Sequence, residues 1–145
     1  MQLETIVIVD DEDSILRELG AILRRKGYEV LNCTNSQTAL IVIESVTPQL
    51  IIADLLMKSM NGFELCERVH ALPGLSHTPI VLMSTQANFL PIPDQASCLC
   101  SFLTKPIQPD ELLSLVAGIL PGRQVDSVPA AMQAAHTMNK VMSEA

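Results

Sequence analysis

The sequence predicts an α/β fold: a doubly wound sheet of five parallel strands with helices on both faces. Three observations predict it. Five short apolar runs alternate with segments of helical spacing. The runs are continuous rather than alternating, as strands buried on both faces are. Aromatic residues make up only 3 % of the chain, and Val, Ile and Leu supply most of its apolar surface. With 145 residues the chain is long enough for one domain with a real core.

The first strand is Leu3 to Val9, where Ile6-Val7-Ile8-Val9 is continuous and β-branched. Asp10-Asp11-Glu12-Asp13 ends it. Ile15, Leu16, Leu19, Ile22 and Leu23 then take helical spacing from about Asp13 or Ser14 to Lys26, and Gly27 stops the helix. Tyr28 to Asn32 is the second strand. Ser36 is expected to cap a helix bearing Ala39, Leu40, Val42, Ile43 and Val46, which halts before Pro48. Leu50 to Ala53 is the third strand, with Asp54 next. A loop, Leu55 to Met60, leads to Asn61, an N-cap for a helix with Phe63, Leu65, Cys66, Val69 and Leu72 that Pro73-Gly74 closes. Pro79 to Met83 is the fourth strand, followed by Ser84-Thr85. Pro91 and Pro93 deny the next crossover a full regular helix, which is expected to be short or displaced. Leu99 to Leu103 is the fifth strand, and Pro109 opens a last helix carrying Leu112, Leu113, Leu115, Val116 and Ile119. Strand then helix, repeated five times, implies right-handed crossovers.

Pro121-Gly122 ends the compact unit, so the expected division is a domain over 1–122 and a tail over 123–145. The tail contains a strong helix-forming run, Ala130 to Ala135, with a thin stripe of Met138, Val141 and Met142, and is read as helical or disordered. The formal charge of −7 argues against a nucleic-acid surface in this domain. No stretch has the length of a membrane span and no signal peptide opens the chain, so the expectation is a cytoplasmic protein with no membrane contact. The cysteines at 33, 66, 98 and 100 lack zinc-site spacing. They are read as small apolar thiols kept reduced rather than as a redox pair.

In such a sheet the carboxyl ends of strands one, three, four and five meet at one edge, where ligands bind in open parallel sheets. The residues there are Asp10 and Asp11, Asp54, Ser84 and Lys105. Taken singly, each has an ordinary reading. The Asp pair and the serine are caps for the next turn or helix, and the lysine is a solvated loop charge. Taken together they converge from four strands. Two like charges about 4 Å apart repel by ~4 kcal/mol at an effective dielectric of about 20, so three carboxylates in one pocket call for a cation. Oxygen-only ligands favour magnesium. A hydroxyl and a fixed ammonium beside them suit the grip of a phosphate. The set describes phosphoryl transfer to a carboxylate, in which positioning and charge neutralisation carry the catalysis.

With these residues in place, the sequence resembles the receiver domain of two-component response regulators, across about residues 3 to 120. The resemblance is carried by Ile6 to Glu12, Asp54 to Gly62, Ile80 to Ser84 and Phe102 to Pro106. It implies a flavodoxin-like (βα)5 sheet in the strand order 2-1-3-4-5. It implies that Asp54 accepts a phosphoryl group from a histidine kinase or phosphotransfer protein. Magnesium is then held by Asp11, Asp54 and the Leu56 carbonyl, with Asp10 assisting. Ser84 and Lys105 contact the phosphoryl oxygens, Ser84 and Phe102 act as the switch pair, and Lys105-Pro106 is a cis peptide. The downstream protein target is not named by the sequence, and a homodimer stays open.

The chain departs from the family pattern at Lys58, usually Pro, and Asn61, usually Asp. Leu56 is apolar beside the route of the attacking water, which predicts slow loss of the phosphoryl group. Thr85 replaces a small residue and is expected to narrow entry for small phosphodonors. Three rival readings compete. One is a receiver-like adaptor that works without phosphorylation. An aspartyl-nucleophile phosphatase needs an acid two residues after the nucleophile, where Leu56 stands. A flavin-binding domain needs a phosphate-cradling loop after the first strand, where acids stand instead. The reading is therefore a self-modifying switch that turns over no outside substrate.

Overall fold

The computed structural model describes residues 3–85 and 100–120. The crossover with Pro91 and Pro93, together with Cys98, Leu99 and the tail over 123–145, lies outside the described residues. Five strands, β1 (Thr5–Val9), β2 (Glu29–Cys33), β3 (Leu50–Asp54), β4 (Ile80–Ser84) and β5 (Cys100–Thr104), form one sheet. All neighbours are parallel, in the order β2-β1-β3-β4-β5. The expected doubly wound fold and strand order are those observed.

Side chains alternate across this sheet with a period of two. Val7, Val9, Ile51, Ala53, Ile80 and Leu82 face α2 (Ser36–Val46) and α3 (Gly62–His70). Ile6, Ile8, Leu50, Ile52, Val81 and Met83 face α1 (Asp13–Arg25) and α4 (Pro109–Ile119). Burial on both faces explains why the strand sequences are continuous apolar runs, since each side chain has a core to enter whichever way it points.

The helix ends obey local chemistry. The Asn61 side chain accepts a hydrogen bond from the Glu64 backbone N–H at 2.9 Å, capping α3 as its sequence suggests. Gly27 closes α1 with φ of 95°, a conformation glycine takes freely. At α2 the expected cap is displaced by one residue. Asn35, not Ser36, accepts from Thr38 N–H at 2.8 Å. Ser36 is fully buried, and its hydroxyl donates instead across to the loop after β3. The helix ends on Thr47 at φ 45°, a left-handed geometry unusual for a β-branched residue. Cys33 and Cys100 are free and buried. Cys66 is disulfide-bonded, which departs from the expectation of reduced thiols throughout.

Candidate functional site

Register brings the strand-end residues together. Val9 pairs with Ala53, so Asp10 and Asp54 are the next residues along two adjacent strands. Asp54 pairs with Met83, and Ser84 with Thr104. The Leu55 N–H donates to Met83 O at 2.8 Å and the Lys105 N–H to Ser84 O at 2.7 Å. These two bonds extend the ladder past the strand ends, which places Ser84 beside Lys105 and keeps Leu55 next to β4. The Lys105–Pro106 peptide is cis.

Oxygens from Asp10, Asp11 and Asp54 lie within 4.8 Å of one another. Asp10 is fully buried, Asp54 is 9 % exposed and Asp11 is open to solvent. Asp10 is held from two sides. Its Oδ1 accepts from the Glu12 N–H at 2.9 Å and its Oδ2 from Lys105 Nζ at 3.0 Å. The same ammonium lies 3.4 Å from Asp54 Oδ1. One cation thus serves two buried carboxylates, leaving the cluster with net negative charge.

The proton affinities record that shortfall. Burial, followed by the charge of Asp10, pushes the Asp54 carboxyl above its usual range, and Lys105 pulls it back only in part. Burial alone lowers the affinity of the Lys105 ammonium for its proton. Its bonds and charge contacts with Asp10 and Asp54 outweigh that and raise it. The lysine is therefore a fixed positive charge at any physiological pH. Three convergent oxygen donors with surplus negative charge fit a hard divalent cation such as magnesium.

The remaining residues expected at the site lie around this nest. Ser84 is half-buried at the end of β4. Leu56, second in the loop after Asp54, is 39 % exposed. Phe102 is partly buried on the α2 and α3 side, where its ring meets Phe63 edge-on at 6.3 Å between centroids. The sequence gives no sign of this role for Phe63, because its helical spacing marks it only as core. Thr85 Oγ1 is buried and has no hydrogen-bond partner among the described residues.

Comparison with known proteins agrees with this geometry. Residues 6–117 match the model of the response regulator receiver domain. A probable transcriptional regulator, ycf27, of Porphyra purpurea is 30% identical over 131 residues, covering 88% of this chain and 51% of that protein. The DNA-binding response regulator MtrA of Mycobacterium tuberculosis H37Rv is 28% identical, covering 89% of this chain and 55% of that one. This chain thus spans about half the length of the curated relatives it matches. Among solved structures, a putative response regulator from Chloroflexus aurantiacus superposes with a TM-score of 0.74 at 32% identity, covering 83% of this chain and 99% of that one. The chemotaxis protein CheY4 of Vibrio cholerae gives a TM-score of 0.74 at 28% identity, covering 82% and 100%. The chain belongs to the response regulator receiver domain family. Receiver domains are signalling modules of two-component systems and work with histidine kinases and downstream effectors.

Proposed function

We propose that this receiver domain is a magnesium-dependent phosphoacceptor switch in which Asp54 is modified by a histidine kinase or a phosphotransfer protein. The observation that carries the reading is the grouping of three carboxylates, two of them paired with the partly buried ammonium of Lys105, whose Nζ lies 3.4 Å from Asp54 Oδ1. Asp10, Asp11, Asp54 and the Leu56 carbonyl would hold magnesium, which neutralises charge on the incoming phosphoryl oxygens. An Asp54 carboxylate oxygen bonds to phosphorus as the donor's P–N bond breaks, so the carboxylate charge is consumed in forming the acyl phosphate. Lys105 keeps a positive charge beside that oxygen. Ser84, at the adjacent strand end, supplies a hydroxyl for the phosphoryl group.

The product brings about −1.5 to −2 charges into the nest. Ser84 drawn toward them vacates space near β5, and Phe102 reports the change by moving against Phe63. A shift from 1:99 to 99:1 between the two forms needs ~5.5 kcal/mol of differential stabilisation. The domain modifies itself and turns over no external substrate. It reads as a cytoplasmic module over 1–122 followed by a separate segment over 123–145, acting on a protein target rather than through nucleic-acid or membrane contact of its own. No helix among the described residues is long and apolar enough to cross a membrane.

Intact-mass measurement with acetyl phosphate and magnesium tests the core chemistry. Wild type is expected to gain one phosphoryl mass, and to lose that gain in excess chelator. Asp54→Ala is expected to gain none. A wild type silent both to acetyl phosphate and to a phosphohistidine donor protein would favour the phosphorylation-independent adaptor, and modification of Asp54→Ala would place the acceptor elsewhere.

A further inference from the structure

We propose that Gly62 and Ser36, which add no charged group to the nest, are positioning residues for the β3–α3 loop that presents the Leu56 carbonyl. The inference rests on the magnesium reading above. The loop is closed at its base, where the Gly62 N–H donates to Leu55 O at 2.7 Å. Gly62 needs no left-handed φ, so its backbone does not demand glycine. Space does. A Cβ at this position would lie 2.7 Å from Leu82 Cδ2, 3.1 Å from the Asp54 carbonyl oxygen and 3.1 Å from Leu55 Cα. The first neighbour is a side-chain tip that can turn away. The other two are main chain of the proposed acceptor and of the residue after it. Any side chain at 62 therefore pushes α3 outward or displaces Asp54 and Leu55.

Ser36 holds the far side of the same loop. It is fully buried, and its hydroxyl donates to Met60 O at 3.4 Å and lies 3.7 Å from Met57 Sδ. Each contact is long, but a buried hydroxyl keeps what partners it has, because leaving it unpaired is costly. The hydroxyl thus ties the start of α2 to the loop across 24 residues of sequence. Magnesium accepts little distortion of its near-octahedral shell at about 2.1 Å. A loop shifted by a few tenths of an ångström is enough to weaken a site that uses the Leu56 carbonyl.

The test uses the full chain with three variants, Gly62→Ala, Ser36→Ala and Gly62→Ala with Leu82→Val. Calorimetric titration with magnesium is expected to show about tenfold weaker binding for Gly62→Ala and about threefold for Ser36→Ala. Phosphorylation by acetyl phosphate should slow at low magnesium and recover at saturating magnesium. Adding Leu82→Val should restore little of the affinity, since the Leu82 tip can already turn away and the main-chain contacts remain; full restoration would overturn the main-chain part of the inference. Amide exchange over residues 55–62, measured without metal, should accelerate in both single variants while β1 and α1 stay protected. Wild-type magnesium affinity together with unchanged loop exchange in both single variants would overturn the inference. So would acceleration spread evenly over the molecule. A wild type that binds no magnesium sinks the functional reading instead, and the metal-free exchange then decides whether these residues hold the loop. Should Gly62→Ala fail to fold, Ser36→Ala decides alone.

Discussion

Within β3, Leu50, Ile51, Ile52 and Ala53 are fully buried among apolar neighbours, while Asp54, the next residue, is almost as buried with two carboxylates and an ammonium beside it. The body of the sheet gains stability by leaving water, roughly 1.5–3 kcal/mol for each large aliphatic side chain. At the carboxyl edge the same burial works against the fold, because charge is being desolvated. Lys105 offsets part of that cost, and the raised proton affinity of Asp54 shows that a deficit remains. The sheet body supplies the stability that the edge gives up, and the surplus negative charge at that edge is what prepares the site for a cation.

Breaking the edge pair is expected to have the largest effect. Lys105→Met leaves Asp10 buried without its cation, and removal of one partner of a buried pair typically costs about 3–5 kcal/mol. Denaturant unfolding measures the loss. Added magnesium should recover part of it in this variant, whereas a loss indifferent to magnesium would mean that the cation site does not overlap the lysine's charge.

In the sheet body, Ile52→Ala removes a fully buried side chain and is expected to cost about 2–4 kcal/mol. Magnesium should stabilise this variant and wild type by equal amounts, because Ile52 lies on the apolar side of the comparison. Unequal stabilisation would show that the two regions are coupled.

The smallest effect is a gain. Asp54→Asn removes a charge that the metal-free fold holds at a penalty, so it should stabilise the apo protein by on the order of 1 kcal/mol, roughly 2–8 °C in Tm. The sign comes from linkage. The folded pKa of Asp54 is raised above the ordinary 3.8 of a free aspartate. The contribution of Asp54 to stability is therefore full below that value, declines as pH climbs to the raised folded pKa, and stays reduced above it. The gap between Asp54→Asn and wild type should open across that window and close in acid. A gap independent of pH would assign the gain to something other than ionisation.

Much of this contrast is legible in the chain itself. Continuous β-branched runs mark strands covered on both faces, and a carboxylate straight after such a run, as at Asp10 and Asp54, is conspicuous because it is costly to desolvate. The α2 cap falls one residue away from its expected place for a plain reason. Asn35 and Ser36 are both good caps, and only the distant loop that Ser36 reaches makes one of them unavailable. The contact of Phe63 with Phe102 is hidden for a similar reason, since helical periodicity assigns an aromatic residue to a core but not to a partner.

By itself, then, the sequence determined the five strands, the described helices and the identity of the groups at the strand ends, because periodicity, capping and desolvation are properties of neighbouring residues. Only the tertiary structure decided that Lys105 lies nearer Asp10, at 3.0 Å, than Asp54, at 3.4 Å, and that α2 and α3 grip the loop between them. Those contacts join residues up to 95 positions apart, and their lengths are set by the register of the sheet and the packing of helices upon it, which no local pattern encodes.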